Sequence, residues 1–111
     1  MIYAIIFLFA IAAVIGVVIL KNWLTNQNTA RTTIYSHGAF AALGLVLLLV
    51  YYFQSGAKAL QTSIILFLVA AIAGFYMFFR ELKGKMSPTW LGVVHGLVAV
   101  AAFVFILLMV I

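Results

Sequence analysis

The chain of 111 residues contains no cysteine, one proline and one acidic residue, Glu81. Without thiol groups it can form no disulfide, thiolate metal site, iron–sulfur cluster or covalently attached c-type haem. Charged residues make up only 6% of the chain, whereas 69% of the residues are hydrophobic and the mean hydropathy is +1.38. Soluble domains are about half apolar and about a quarter charged, so this composition predicts an integral membrane protein.

Six basic residues outnumber the single carboxylate and give a formal net charge of +5. All six lie at the edges of apolar runs or in the connections between them, where they can meet lipid headgroups. The sequence shows no basic stripe and no RNA-binding motif. We therefore expect the lipid bilayer to be the main partner and expect no nucleic acid.

Four apolar segments reach the roughly 20 helical residues that are needed to cross a hydrocarbon core of about 30 Å. They cover about 2–20, 34–53, 60–79 and 89–111, and none contains a charged residue. The first segment has no basic stretch before it, so we interpret it as a retained helix rather than a signal peptide. The sequence predicts one all-α domain, an integral membrane four-helix bundle, with Ser87 as the N-cap of the last helix.

Loop one (residues 21–33) and loop three (residues 80–88) carry five of the six basic residues, whereas the opposite side has only Lys58 and the chain ends. Cytoplasmic loops of membrane proteins are enriched in lysine and arginine. We therefore expect loops one and three to be cytoplasmic and both termini to lie outside. The expected location is a bacterial inner membrane.

The sequence aligns with itself when it is shifted by 58 positions, which places His37-Gly38 on His95-Gly96. Lys21, after the first apolar segment, then falls within one residue of Arg80, after the third. Two copies in the same orientation predict two parallel helical-hairpin repeats, related by a pseudo-two-fold axis along the membrane normal. A chance resemblance between apolar helices is the alternative.

His37 and His95 are the only histidines, and they lie about 5 and 9 Å inside the ends of their predicted helices. Each is followed on the same helix face by two small residues. These small residues are Ala41, Gly44, Ala99 and Ala102. We expect two imidazoles at one level, beside a space that a flat molecule could fill. Small residues at this spacing also let two helices pack closely, which is the alternative interpretation.

An imidazole inside the bilayer needs a partner, and the four predicted spans contain no carboxylate. The iron of a porphyrin takes only two ligands from the protein, whereas tetrahedral zinc takes four, or three and a water. The two histidines therefore favour one haem b, bound once per monomer or shared in a homodimer, with His37 and His95 as iron ligands. Its propionates would point to the cytoplasmic side, where Arg31, Lys85 and Tyr35 lie.

The four-helix plan and the two histidines resemble the transmembrane b-type cytochromes, including the cytochrome b561-like proteins, which hold haem between histidines of different helices. The resemblance implies electron transfer between an unknown donor and acceptor, with a quinol as one candidate. It implies an oxidoreductase in this sense only, without catalytic residues of its own. Many of those proteins carry four haem-ligating histidines for two haems, whereas this chain has two.

Two other functions stay open at this point. The histidines could only form hydrogen bonds between helices, for example with Ser63 or Gln61, which would make the protein a structural or accessory membrane subunit. The other possibility is a metal or proton transporter. Small four-helix drug exporters share this length, but they need a carboxylate within the membrane, which these spans lack.

Overall fold

The computed structural model describes all 111 residues and consists of four long helices with short connections. The helices are α1 (Ile2–Leu24), α2 (Arg31–Ser55), α3 (Gln61–Leu82) and α4 (Thr89–Val110), and one 3-10 turn, Lys58–Leu60, precedes α3. All four are long and apolar enough to cross a membrane. The prediction of an all-α membrane four-helix bundle is therefore confirmed.

Three of the helices extend three or four residues beyond the predicted apolar spans, at the ends that meet loops one and three. We call this the basic end of the bundle. Here α1 ends at Leu24, α2 begins at Arg31 and α3 ends at Leu82. A helix can continue past the hydrocarbon, because its long polar side chains reach the headgroups while its backbone stays hydrogen-bonded. The extension places Glu81 in the last turn of α3 rather than in a loop.

The two halves of the chain have the same backbone plan at the shift of 58 residues. The first helix of each half ends at an equivalent residue, Leu24 or Leu82, and the second begins at an equivalent residue, Arg31 or Thr89. Chance similarity in apolar composition would not align these ends. The structure therefore bears out two helical-hairpin repeats in the same orientation.

The connections within the two hairpins also have matching backbone conformations. Asn26 in loop one and Gly84 in loop three are equivalent residues, and both adopt the left-handed region, with φ of 55° and 73°. The equivalent residues Ala30 and Pro88 are both extended and precede the next helix. Each loop therefore reverses the chain by the same path.

Ser87 is not the N-cap of α4, which corrects the prediction. The residue at that position is Pro88, and no side chain caps the helix. Pro88 has an extended backbone, with φ of −58° and ψ of 136°, so the helix begins one residue later than a Ser87 cap requires. The Ser87 hydroxyl is buried and has no hydrogen-bond partner in the chain.

The core of the bundle lies toward the end that carries the chain termini, and equivalent residues of the two halves build it. Five equivalent pairs are buried in both halves: Ile5 and Ser63, Phe9 and Phe67, Ala12 and Ala70, Gly44 and Ala102, and Leu48 and Ile106. The rings of Phe9 and Phe67 stack face to face, with centroids 4.0 Å apart and planes inclined by 6°. Equivalent residues that touch must lie on the pseudo-two-fold axis. This stack therefore fills the space along the axis on the side of the core.

Candidate functional site

His37 and His95 lie at equal depth in their helices. Each is six residues after the first residue of its helix, Arg31 in α2 and Thr89 in α4. At about 1.5 Å per residue, both are roughly 9 Å from the start of the helix. The unequal depths expected from the apolar spans came from placing the start of α2 three residues too late.

The two imidazole rings lie beside one another across the pseudo-two-fold axis. Their centroids are 6.2 Å apart and their planes are inclined by 75°. Both residues are half-buried. The bundle therefore brings the only two histidines together at one level between α2 and α4.

Each imidazole forms one hydrogen bond, to a backbone carbonyl of the other helix in its own hairpin. His37 Nδ1 lies 2.8 Å from the carbonyl oxygen of Ala12, and His95 Nδ1 lies 2.8 Å from that of Ala70. A carbonyl oxygen only accepts, so each Nδ1 carries the proton, and in a neutral ring Nε2 then keeps a lone pair. The structure gives neither Nε2 atom a hydrogen-bond partner.

A glycine of the same neighbouring helix lies against each ring. An ideal Cβ at Gly16 would lie 3.0 Å from His37 Cε1, and one at Gly74 would lie 3.1 Å from His95 Cε1. These glycines were not predicted from the sequence to belong to the site. Their signal is nevertheless present in the repeat, because the shift of 58 aligns Gly16 with Gly74 on α1 and α3, the helices without histidines.

Gly44 and Ala102, two turns beyond the histidines, belong to the core. An ideal Cβ at Gly44 would lie 3.1 Å from a ring carbon of Phe9, so this ring fills the space beside the glycine. Ala102 is fully buried, and its carbonyl accepts a hydrogen bond of 2.7 Å from the Ser63 hydroxyl. The expectation of an open strip along these two residues is therefore wrong.

The other predicted site residues lie closer to the level of the histidines. Ala41 and Ala99, one turn toward the core, are half-buried. The Tyr35 ring packs edge to face against Phe78, with centroids 5.7 Å apart. Arg31, the first residue of α2, is exposed and forms no side-chain hydrogen bond. These positions place small residues on one side of the imidazoles and polar side chains on the other.

The chain offers a metal only two side-chain ligands at this level. No group of three or more histidine, aspartate or glutamate side chains lies together anywhere in the structure. Tetrahedral zinc takes three or four protein ligands, so two imidazoles alone do not satisfy it. The pair suits a metal that brings its remaining ligands with it.

No protein-family model, curated protein or solved structure matches this chain.

Proposed function

We propose that the protein is a membrane b-type cytochrome that carries electrons through one haem held between His37 and His95. One observation carries this proposal: both imidazoles meet at one level, each with Nδ1 bonded to a carbonyl and Nε2 free. Histidines that bind metals commonly donate their other ring N–H to a carbonyl or carboxylate, which fixes the orientation of the ring. The two alanine carbonyls supply that second contact.

The separation of the rings is compatible with one iron held by both imidazoles. Two Fe–N bonds of roughly 2 Å would hold the ring centroids about 6 Å apart, and the observed separation is 6.2 Å. When held by His37 and His95, the haem would supply one-electron transfer. Its partners would exchange electrons without binding directly to the iron.

The pair lies between the apolar core and the basic end of the bundle, which suits an apolar group that carries two carboxylates at one edge. The Phe9–Phe67 stack closes the axis on the core side. At the level of the rings, α1 and α3 contribute glycines, and each imidazole lies directly against one of them. On the other side, Arg31 begins α2 about 9 Å from the level of His37. Arginine pairs well with carboxylates, so Arg31 would hold a propionate, with Lys85 and Tyr35 as further candidates.

The uneven distribution of basic residues supports a cytoplasmic location for the basic end. The haem would then lie near the cytoplasmic face of a bacterial inner membrane, with both termini outside. Its donor and acceptor would be a lipid-soluble quinol or a protein at that face. A homodimer would carry one such site in each copy, because both ligands come from one chain.

A structural or accessory membrane subunit is the second candidate. The hydrogen bonds of His37 to α1 and of His95 to α3 favour it, because they join each pair of helices without any ligand. Such interhelical bonds contribute about 0.6 kcal/mol on average. This function makes no use of the Nε2 atoms, which form no hydrogen bond within the chain. A proton or metal transporter has less support, because the only carboxylate, Glu81, lies in the last turn of α3.

The absorption spectrum of the detergent-purified protein from haem-replete cells tests the proposal. We expect a sharp Soret band, with resolved α and β bands after reduction by dithionite. His37→Ala and His95→Ala should each lose the six-coordinate low-spin spectrum. Ser36→Ala is the matched control and should keep it, because the Ser36 hydroxyl bonds only to the Thr32 carbonyl of its own helix.

A colourless preparation that also takes up no added haem would reject the cytochrome and favour the structural subunit. In that case His37→Ala and His95→Ala should lower only the stability of the bundle.

A further inference from the structure

Gly16 and Gly74 are the only glycines whose missing side chains would meet a histidine ring. An ideal Cβ at Gly16 would lie 3.0 Å from Cε1 and 3.3 Å from Nδ1 of His37. At Gly74 the same two distances, to His95, are 3.1 and 3.7 Å. At both positions the three nearest atoms all belong to the imidazole. A methyl group at either position would therefore meet the imidazole ring first.

The same two glycines lie beside the carbonyls that the imidazoles bind. Gly16 is four residues after Ala12, and Gly74 is four residues after Ala70. In an α-helix the carbonyl of a residue accepts the N–H four positions later, and its oxygen keeps a second lone pair. Side chains tilt toward the N-terminus of their helix, so a side chain at the fourth position would lean over that carbonyl. Glycine leaves the second lone pair open to an imidazole N–H.

We propose that Gly16 and Gly74 are positioning residues that fix the tautomer of the two histidines. Each glycine lets an imidazole lie directly against the neighbouring helix, so that its Nδ1–H reaches the alanine carbonyl and Nε2 stays free. The effect on the rings does not depend on any ligand. The effect on haem affinity rests on the proposed function, because Nε2 would then be the nitrogen that binds iron.

A double-mutant cycle tests the contact between glycine and ring in the full chain without haem. Gly16→Ala is made in the wild-type protein and in His37→Ala, and the free energy of unfolding is measured in detergent micelles. We expect Gly16→Ala to destabilise the wild type alone, because the three atoms nearest to the new methyl group belong to His37. Should Gly16→Ala not fold at all, the double variant is expected to fold. An equal effect in both backgrounds would assign the glycine to helix packing and overturn the proposal.

Nitrogen NMR of the protein labelled at histidine reports the tautomer of each ring. We expect Gly16→Ala to disturb the Nδ1–H signal of His37 and to leave that of His95 unchanged. Gly38→Ala is the matched control, since it also replaces a helical glycine but has no atom within 4 Å of its ideal Cβ. A wild-type tautomer of His37 in Gly16→Ala would contradict the positioning role.

Haem binding separates this proposal from the proposed function. If the wild type binds haem, Gly16→Ala should raise Kd about tenfold, equivalent to about 1.4 kcal/mol, and shift part of the iron to high spin. Gly38→Ala should change neither. A wild type that binds no haem contradicts the proposed function alone, because the cycle and the NMR spectra still decide the role of the glycines. Haem binding in the wild type with an unchanged Gly16→Ala variant would contradict the glycine proposal alone.

Discussion

The hairpin of α1 and α2 and the hairpin of α3 and α4 carry identical residues at four places around the pseudo-two-fold axis. The matching pairs are Phe9 and Phe67, Ala12 and Ala70, Gly16 and Gly74, and His37 and His95. The hydrogen bond from imidazole to carbonyl measures 2.8 Å in both hairpins. Side chains on the axis meet their own counterparts, so both hairpins must present the same shape there.

Farther from the axis the two hairpins differ. Ile5 and Ser63 are equivalent and fully buried, but the Ser63 hydroxyl donates to the Ala102 carbonyl at 2.7 Å, whereas Ile5 only packs. Ser63 joins the two helices of its hairpin by this bond, whereas Ile5 lies in the apolar cluster to which all four helices contribute. The residue at this position can therefore be polar in one hairpin and apolar in the other, while the identical residues around the axis are kept.

The two loops at the basic end also differ in their side-chain hydrogen bonds. At the end of α1, the Asn22 side-chain amide donates to the Thr29 hydroxyl of loop one at 3.2 Å. In loop three the equivalent residue, Arg80, donates to the Met86 carbonyl at 2.9 Å. Both side chains tie the end of one helix to the loop that follows it. The backbone path is therefore common to the two loops, while the side chains that hold it are not.

The largest effect is expected from breaking the shared aromatic stack. Phe9→Ala and Phe67→Ala each remove one of two rings that are 4.0 Å apart and nearly parallel. Deleting a buried phenylalanine side chain typically costs about 3–5 kcal/mol through lost contacts and the cavity that remains. We expect losses of this order, similar in the two variants, in the free energy of unfolding measured by titration with a denaturing detergent.

Phe7→Ala is the matched control on α1, because Phe7 is 65% exposed on the outside of the bundle. It should change stability little. A loss for Phe9→Ala much larger than for Phe67→Ala would show that the two hairpins do not share the stack equally.

Sequence length and hydropathy are sufficient to predict the four helices, because a run of about 20 apolar residues has no other stable form across a bilayer. The repeat is sufficient to predict that His37 and His95 meet, since equivalent residues on inward faces converge at the axis. The N-cap of α4 and the start of α2 were less predictable. They depend on backbone conformation in the headgroup region, where hydropathy no longer decides where a helix ends.

The surroundings of the histidines could be predicted only in part. A small residue such as Gly44 leaves a space only if no neighbouring side chain enters it, and here the Phe9 ring does. Which ring nitrogen is bonded depends on how each helix is rotated against its neighbour. The sequence pattern of α2 does not predict that rotation. The repeat of Ala12 and Gly16 on α1 as Ala70 and Gly74 on α3 nevertheless indicates which face of each helix meets a histidine.

A smaller effect is expected from a substitution that breaks the match between the two loops. Gly84 has φ of 73° and no atom within 4 Å of its ideal Cβ, so only the backbone conformation matters there. A left-handed backbone costs an ordinary L-residue about 1–2 kcal/mol, whereas asparagine tolerates it better. Asn26 already adopts this conformation in loop one, with φ of 55°. We expect Gly84→Ala to lower the thermal midpoint and Gly84→Asn to lower it less. Equal losses would contradict the equivalence of the loops.

The smallest effect is expected from removing the polar link of the second hairpin. Ser63→Ala removes the hydroxyl that joins α3 to the Ala102 carbonyl of α4. Interhelical hydrogen bonds of this kind contribute about 0.6 kcal/mol on average and about 1.7 kcal/mol at most. Ser36→Ala is the matched control, because its hydroxyl bonds at 2.7 Å to the Thr32 carbonyl of the same helix and joins no helices. We expect a small loss of unfolding free energy for Ser63→Ala and none for Ser36→Ala. If both variants were as stable as the wild type, the hydroxyl would add nothing to a hairpin that packing already holds.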